Sequence, residues 1–163
     1  MIKMEIDIKE LPVYEVAFVR RTGSYFEPQE HWGNLMHWAY ENGFFPPHQS
    51  FIGISLDDPN IVESNKCRHD ACVTIPEGFD KTKHKNMQFK KLDGGQYAMY
   101  EFYDSPEKLN SAYKYMFEHW LPISNYDADH ARYNLEFNMN NPVEDPEGKL
   151  KVDLFVPIKK RKA

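Results

Sequence analysis

The chain has 163 residues, the size of one domain and enough to bury a real hydrophobic core. A net charge of −5 and a pI near 5.8 argue against the basic face a nucleic-acid binder uses, and no stretch reaches the roughly 20 apolar residues of a membrane helix. Aromatic residues make up 15 %, more than a small core needs and in keeping with a pocket or interface.

Met1 to Glu10 is charged and alternating, so it lacks the apolar stretch of a secretion signal, and a cytoplasmic protein is expected. Residues 5–11 read as a strand, and 13–21 as a second. A helix is expected over 27–42, with Trp32, Leu35, Met36 and Ala39 at helical spacing and Gly43 as its stop. A strand begins at Phe51 and runs into the turn Asp57-Asp58-Pro59-Asn60. Another follows a polar loop at Asp70. Cys67 and Cys72 fall in that apolar run at an odd separation, hence on opposite faces, and are expected to be reduced and buried. The turn Asp93-Gly94-Gly95 leads to a strand over 96–103. A helix over 106–120 comes next, with Ser105 as its cap, Pro106 first, and an apolar stripe of Leu109, Ala112, Tyr113, Met116 and Trp120. Strands at Asn134 and Asp153 close the chain, ahead of the solvated basic tail Lys159-Lys160-Arg161-Lys162.

The order is that of a repeat. At an offset of 83, Phe51-Ile-Gly-Ile-Ser-Leu-Asp-Asp-Pro59 lies over Asn134-Leu-Glu-Phe-Asn-Met-Asn-Asn-Pro142, and Asp70-Ala-Cys-Val-Thr-Ile75 over Asp153-Leu-Phe-Val-Pro-Ile158. Each half is strand, helix, strand, strand. The expected fold is α+β: one domain over 1–163, with antiparallel sheets, repeats at about 4–80 and 88–160, and a pseudo-twofold axis.

Alternation then assigns faces. Leu135, Phe137 and Met139, with Ile52, Ile54 and Leu56 in the first copy, are expected to face each half's own helix. Glu136 and its counterpart Gly53 fall on the other face, together with Phe51, Phe155, Asp153, Cys72 and Asp70. If these faces share one concave surface, Glu136 projects into it among aromatic rings, a suitable receptor for a flat cation. The plain alternative is a solvated glutamate on a half-exposed sheet.

Seven histidines do not add up to a metal site: His31 and His37 lie on opposite helix faces, and neither His-Glu-x-x-His nor Cys-x-x-Cys occurs. No nucleophile elbow, P-loop or dinucleotide fingerprint is present. No metal or other cofactor is expected.

Four segments resemble the GyrI-like family, the effector-binding domain of AraC- and MerR-type multidrug regulators. Lys66-Cys67-Arg68-His69-Asp70-Ala71-Cys72 is similar to its Arg-x-Asp segment, and Gly94-Gly95-Gln96-Tyr97-Ala98 to its Gly-Gly-x-Tyr-Ala strand entry. Trp120-Leu121-Pro122-Ile123-Ser124-Asn125-Tyr126 is similar to its Trp-Leu-Pro-x-Ser-Gly-Tyr helix exit. Leu135-Glu136-Phe137-Asn138 and Val152-Asp153-Leu154-Phe155-Val156-Pro157-Ile158 are similar to its Phe-Glu-x-Tyr strand and Asp-Ile-Tyr-x-Pro-Ile ending. Asn138 and Phe155 stand where the family has tyrosines.

The resemblance implies the duplicated (SHS2-like) unit and a small, often cationic or amphipathic aromatic ligand in a cleft between the repeats. It implies Glu136 as the ligand's charge partner. Phe51, Tyr25, Tyr103 and Phe155 are candidate walls, and Gly53 leaves space. It also implies a stand-alone form without a DNA-binding module, serving drug or toxin sequestration or effector sensing, and without direct contact to nucleic acid or membrane. Two alternatives stay open. One is a hydrolase of reactive electrophiles, with Glu136 as acid/base and Tyr100 or Tyr103 assisting. The other is an interaction protein that inhibits DNA gyrase or partners a regulator.

Overall fold

In the computed structural model, which describes residues 4–162, the expected elements follow in order, with two strands, at Gln88–Leu92 and Tyr126–Ala128, added to them. They are β1 (Asp7–Leu11), β2 (Tyr14–Thr22), α1 (His31–Glu41), β3 (Phe51–Ser55), β4 (Arg68–Thr74), β5 (Gln88–Leu92), β6 (Gly95–Asp104), α2 (Leu109–Tyr115), β7 (Tyr126–Ala128), β8 (Leu135–Asn138) and β9 (Leu150–Lys160). Residues 12–94 make a first unit; residues 4–11 with 95–162 make a second.

α1 is shorter than expected. The chain before it is tied into turns by Glu27 N–H to Ser24 O and by the Gln29 side-chain amide to Ser24 O and Glu27 O. Its end is as expected: Gly43 takes φ +75° and Phe44 N–H reaches back to Ala39 O at 2.9 Å. The second helical segment opens with a 3-10 turn at Pro106–Lys108 and closes with a wide π turn at Met116–Trp120. Ser105 is extended there, but its side chain makes no capping bond.

The first unit is an antiparallel sheet in the order β3-β4-β2-β5. Leu35 and Ala39 of α1 pack on the face carrying Ala17, Phe51, Ala71 and Val73. The second unit is a sheet in the order β8-β9-β6-β1, with β7 also on β9. Ala112 and Met116 pack on Ala98, Phe102, Val152, Leu154 and Val156.

The two registers correspond. Ile52 pairs with Cys72, and Leu135, 83 residues further on, pairs with Phe155. Phe18 lies between Cys72 and Gln88, as Met99 lies between Phe155 and Asp7. The fourth strand of each sheet comes from outside the repeat as read in sequence. β1, counted with the first repeat, pairs with β6; β5, counted with the second, pairs with β2.

The face assignment is corrected. Residues directly opposite on paired strands share a face. Glu136 lies opposite Leu154, a residue of the cluster under α2. Glu136 and its counterpart Gly53 therefore stand on the helix side, and so does Phe51. Leu135, Phe137, Ile52 and Ile54 occupy the other side with Phe155, Cys72 and Asp70. Alternation misled because both faces of each sheet are apolar: Leu135, Phe137, Tyr97 and Phe155 are all buried away from α2.

Candidate functional site

Glu136 is a carboxyl set on a strand that its own helix covers. β8 presents it beneath α2, and Tyr113, on the apolar stripe of that helix, donates its hydroxyl proton to Glu136 Oε2 at 2.7 Å. Among the described residues Tyr113 is its only hydrogen-bond partner, and no basic side chain pairs with it. Burial raises the Glu136 carboxyl above its ordinary range, and the tyrosine bond opposes this. Burial, and then the nearby carboxylate, drive the Tyr113 phenol well up. Tyr100, Leu109, Phe117 and Trp120 pack on the same side. A carboxyl so placed has no counter-charge among the described residues and has the Tyr113 ring beside it.

The other expected site residues are spread out. Tyr103 and Phe155 sit on the opposite face of the second unit. Phe155 packs on Phe137 and Tyr97 with ring centroids 4.9 and 6.1 Å away. Tyr103 is exposed and donates to Asp145 at 2.9 Å, which pushes its phenol up to about 12. Neither stands beside Glu136, because odd and even positions of β6 and β9 part to different faces. Tyr100 does share the helix side.

In the first unit Phe51 is core, edge-on to Tyr40. Tyr25 spends its hydroxyl on Arg68 O at 2.6 Å and takes the Asp57 N–H at 3.2 Å. Gly53 lies under Trp32 and His69. His69 Nδ1 meets His31 Nε2 at 2.8 Å. Burial, then the proximity of His31, holds the His69 imidazole down to about 4.

Sequence reasoning missed Tyr113, read only as stripe, and the pairing of His31 with His69. The signal for Tyr113 was its place on the stripe, once β8 is turned so that Glu136 faces α2. Contact between histidines 38 residues apart leaves no sequence signal. Cys67 and Cys72 are free and buried. Among the described residues no group of three or more His, Cys, Asp or Glu is arranged to hold a metal. No helix among them is long and apolar enough to cross a membrane.

The model of the GyrI-like small-molecule-binding domain matches residues 4–159. The chain belongs to this family. Among its relatives is the SPbeta prophage-derived protein YosT of Bacillus subtilis, named as a transcriptional regulator. It is 39 % identical over 100 residues, covering 60 % of this chain and 64 % of YosT. The chain thus spans just under two thirds of that relative. A DNA gyrase inhibitor of Citrobacter koseri is 23 % identical over 97 % of this chain and all of its own length.

Similar folds occur in the C-terminal domain of EcmrR, with a TM-score of 0.73 and 14 % identity over 98 % of this chain and 99 % of that one. A hydrolase from Listeria innocua gives 0.70 and 12 % identity over 96 % and 93 %. SAV2435 bound to tetraphenylphosphonium gives 0.60 and 12 % identity over 96 % and 94 %. At these identities the likeness is one of GyrI-like fold.

Proposed function

We propose that this GyrI-like domain reversibly binds a cationic or amphipathic aromatic molecule, with Glu136 as its charge partner, in drug sequestration or effector sensing. The observation that carries the reading is the half-buried Glu136 carboxyl, bonded to a single phenol and matched by no basic side chain among the described residues. A cationic ligand supplies the missing charge, and the carboxyl is then held ionised. Ring faces beside it add cation–π attraction and dispersion. The fold-neighbour SAV2435, with its tetraphenylphosphonium, supplies a probe of this chemistry.

Thermal-shift measurements with tetraphenylphosphonium and neutral triphenylphosphine oxide test the reading. A ligand at about 100 times its Kd stabilises the fold by about 2.7 kcal/mol. The cation is expected to raise Tm in the wild type and to lose its advantage over the neutral probe in Glu136→Gln. No preference for the cation in the wild type overturns it.

A hydrolase is the second reading. The 2.7 Å contact between Tyr113 and a carboxyl raised by burial favours it, since such a carboxyl can hold a proton for a leaving group. Consumption of an electrophilic ring compound, abolished in Glu136→Gln, separates turnover from binding. Inhibition of gyrase supercoiling that persists in that variant marks the interaction protein instead.

A further inference from the structure

The net charge of −5 conceals a local concentration of the opposite sign. Residues 81–91 hold Lys81, Lys83, Lys85, Lys90 and Lys91 and no aspartate or glutamate. They make up one loop, with a 3-10 turn at Lys81–Lys83, and most of the strand β5 that follows it.

The fold anchors this segment from within. The Trp38 indole N–H of α1 donates to His84 Nδ1 at 3.2 Å, and the Phe79 ring stacks on that imidazole with centroids 4.9 Å apart. Met87 and Phe89 pack against the core under α1. The Asp80 carboxylate takes the Thr82 N–H at 3.1 Å. Lys90 is bound to Asp70 and Lys81 to Glu15. Lys83 lies 3.9 Å from Asp80, with its side chain 79 % exposed. Lys85 and Lys91 are exposed, and neither has an ion-pair partner among the described residues. Lys91 stands opposite Glu15 of β2, and Glu15 reaches Lys81, so loop and strand present charge on one side of the sheet.

β5 is also an edge. It pairs with β2 over Tyr14–Phe18 and ends the strand order of its sheet. Among the described residues no strand lies on its other side, so its outward N–H and C=O groups have no ladder partner. The β5 edge of a second copy is repelled there, because lysine would meet lysine. A strand carrying carboxylates is attracted. Its main chain completes the ladder, and its side chains answer Lys85 and Lys91. A nucleic-acid strand fits less well. It brings phosphate acceptors but no backbone donors for the C=O groups, and no arginine in residues 81–92 offers phosphate a fork.

We propose that the outer edge of β5, with the 81–87 loop beside it, docks an extended acidic segment of a partner protein by strand addition. The surface belongs to the first unit alone and is separate from Glu136, so it stands whether or not Glu136 binds a cation.

Amide NMR of the ¹⁵N-labelled chain at pH 7 tests it. The probes are acetyl-Glu-Thr-Glu-Thr-Glu-Thr-amide, the same peptide methylated at every backbone nitrogen, its lysine counterpart, and oligodeoxythymidylate. The acidic peptide is expected to shift the amides of residues 88–92 saturably and to slow hydrogen exchange at the outward ones. The methylated and lysine peptides leave them in place. Lys85→Glu combined with Lys91→Glu weakens binding of the acidic peptide at least about tenfold. Both side chains are exposed and unpaired, so the variant keeps the wild-type spectrum elsewhere. No saturable shift at 88–92 with the acidic peptide overturns the proposal. So does equal binding of the methylated peptide (charge alone), or oligodeoxythymidylate shifting the same amides at lower concentration (a nucleic-acid face).

Discussion

Tyr113 and Glu136 share one bond with two unequal ends. Tyr113→Phe leaves a half-buried carboxyl without this partner, and its expected cost is about 0.5–1.5 kcal/mol in urea unfolding at pH 7. The pH dependence has a definite sign. The folded-state carboxyl of Glu136 lies above its ordinary value, so the folded chain holds this proton where the unfolded chain has lost it. Its contribution is full at low pH and fades as pH rises through the folded value. Glu136→Gln is therefore expected to gain stability over the wild type on going from pH 4 to pH 8. A constant difference contradicts this. His69 works the other way. Held down to about 4, it is neutral when folded while the unfolded ring takes a proton below about 6.5. Stability is complete above that pH and falls on acidification toward 4, with a slope up to about 1.4 kcal/mol per pH unit. His69→Gln flattens that slope in denaturant titrations at fixed pH. At this scale alternation singled Glu136 out but put it on the wrong face of its strand. Tyr113 was not legible, because helical spacing tells which residues face the sheet but not where a hydroxyl ends.

The elements carry two glycines with opposite expectations. Gly33 lies in α1, and a Cβ there meets nothing within 4 Å. Gly33→Ala is expected to stabilise by about 0.5–1 kcal/mol through helix propensity. Gly43 has the same open space but φ +75°, so Gly43→Ala costs about 1–2 kcal/mol from backbone strain alone. Thermal melts of the two variants should move in opposite directions; the same direction for both contradicts the assigned helix end. Most strand and helix positions were legible from periodicity, and the stop at Gly43 from the residue itself; the short strands β5 and β7 were not. The facing of β8 was not. Leu135 and Phe137 are as apolar as core residues under a helix, yet they pack with Phe155 on the other side. Only the cross-strand partner of Glu136 tells the two faces apart.

Across the molecule, one fold pattern is used twice with different charges. In the first unit Asp70 is fully buried on β4, gripped by Arg20 at 2.7 and 2.9 Å and by Lys90 of β5. It ties three neighbouring strands. Asp70→Ala removes the bonds of a buried carboxylate to two partly exposed cations and is expected to cost about 1.5–3 kcal/mol. In the second unit the corresponding Asp153 faces Glu101, and burial, then that like charge, raises its carboxyl. The offset of 83 was legible as the matching register of the strand pairs Ile52–Cys72 and Leu135–Phe155. The exchange of edge strands was not, because the hydrogen bonds of β1 and β5 depend on which sheet edge each reaches. The central claim is that Glu136 recognises positive charge. Calorimetric titration of tetraphenylphosphonium into the wild type and Glu136→Gln at pH 7 tests it most directly. Saturable binding that weakens by about tenfold or more, about 1.4 kcal/mol, in the variant is the predicted result. Equal affinity in both proteins contradicts it.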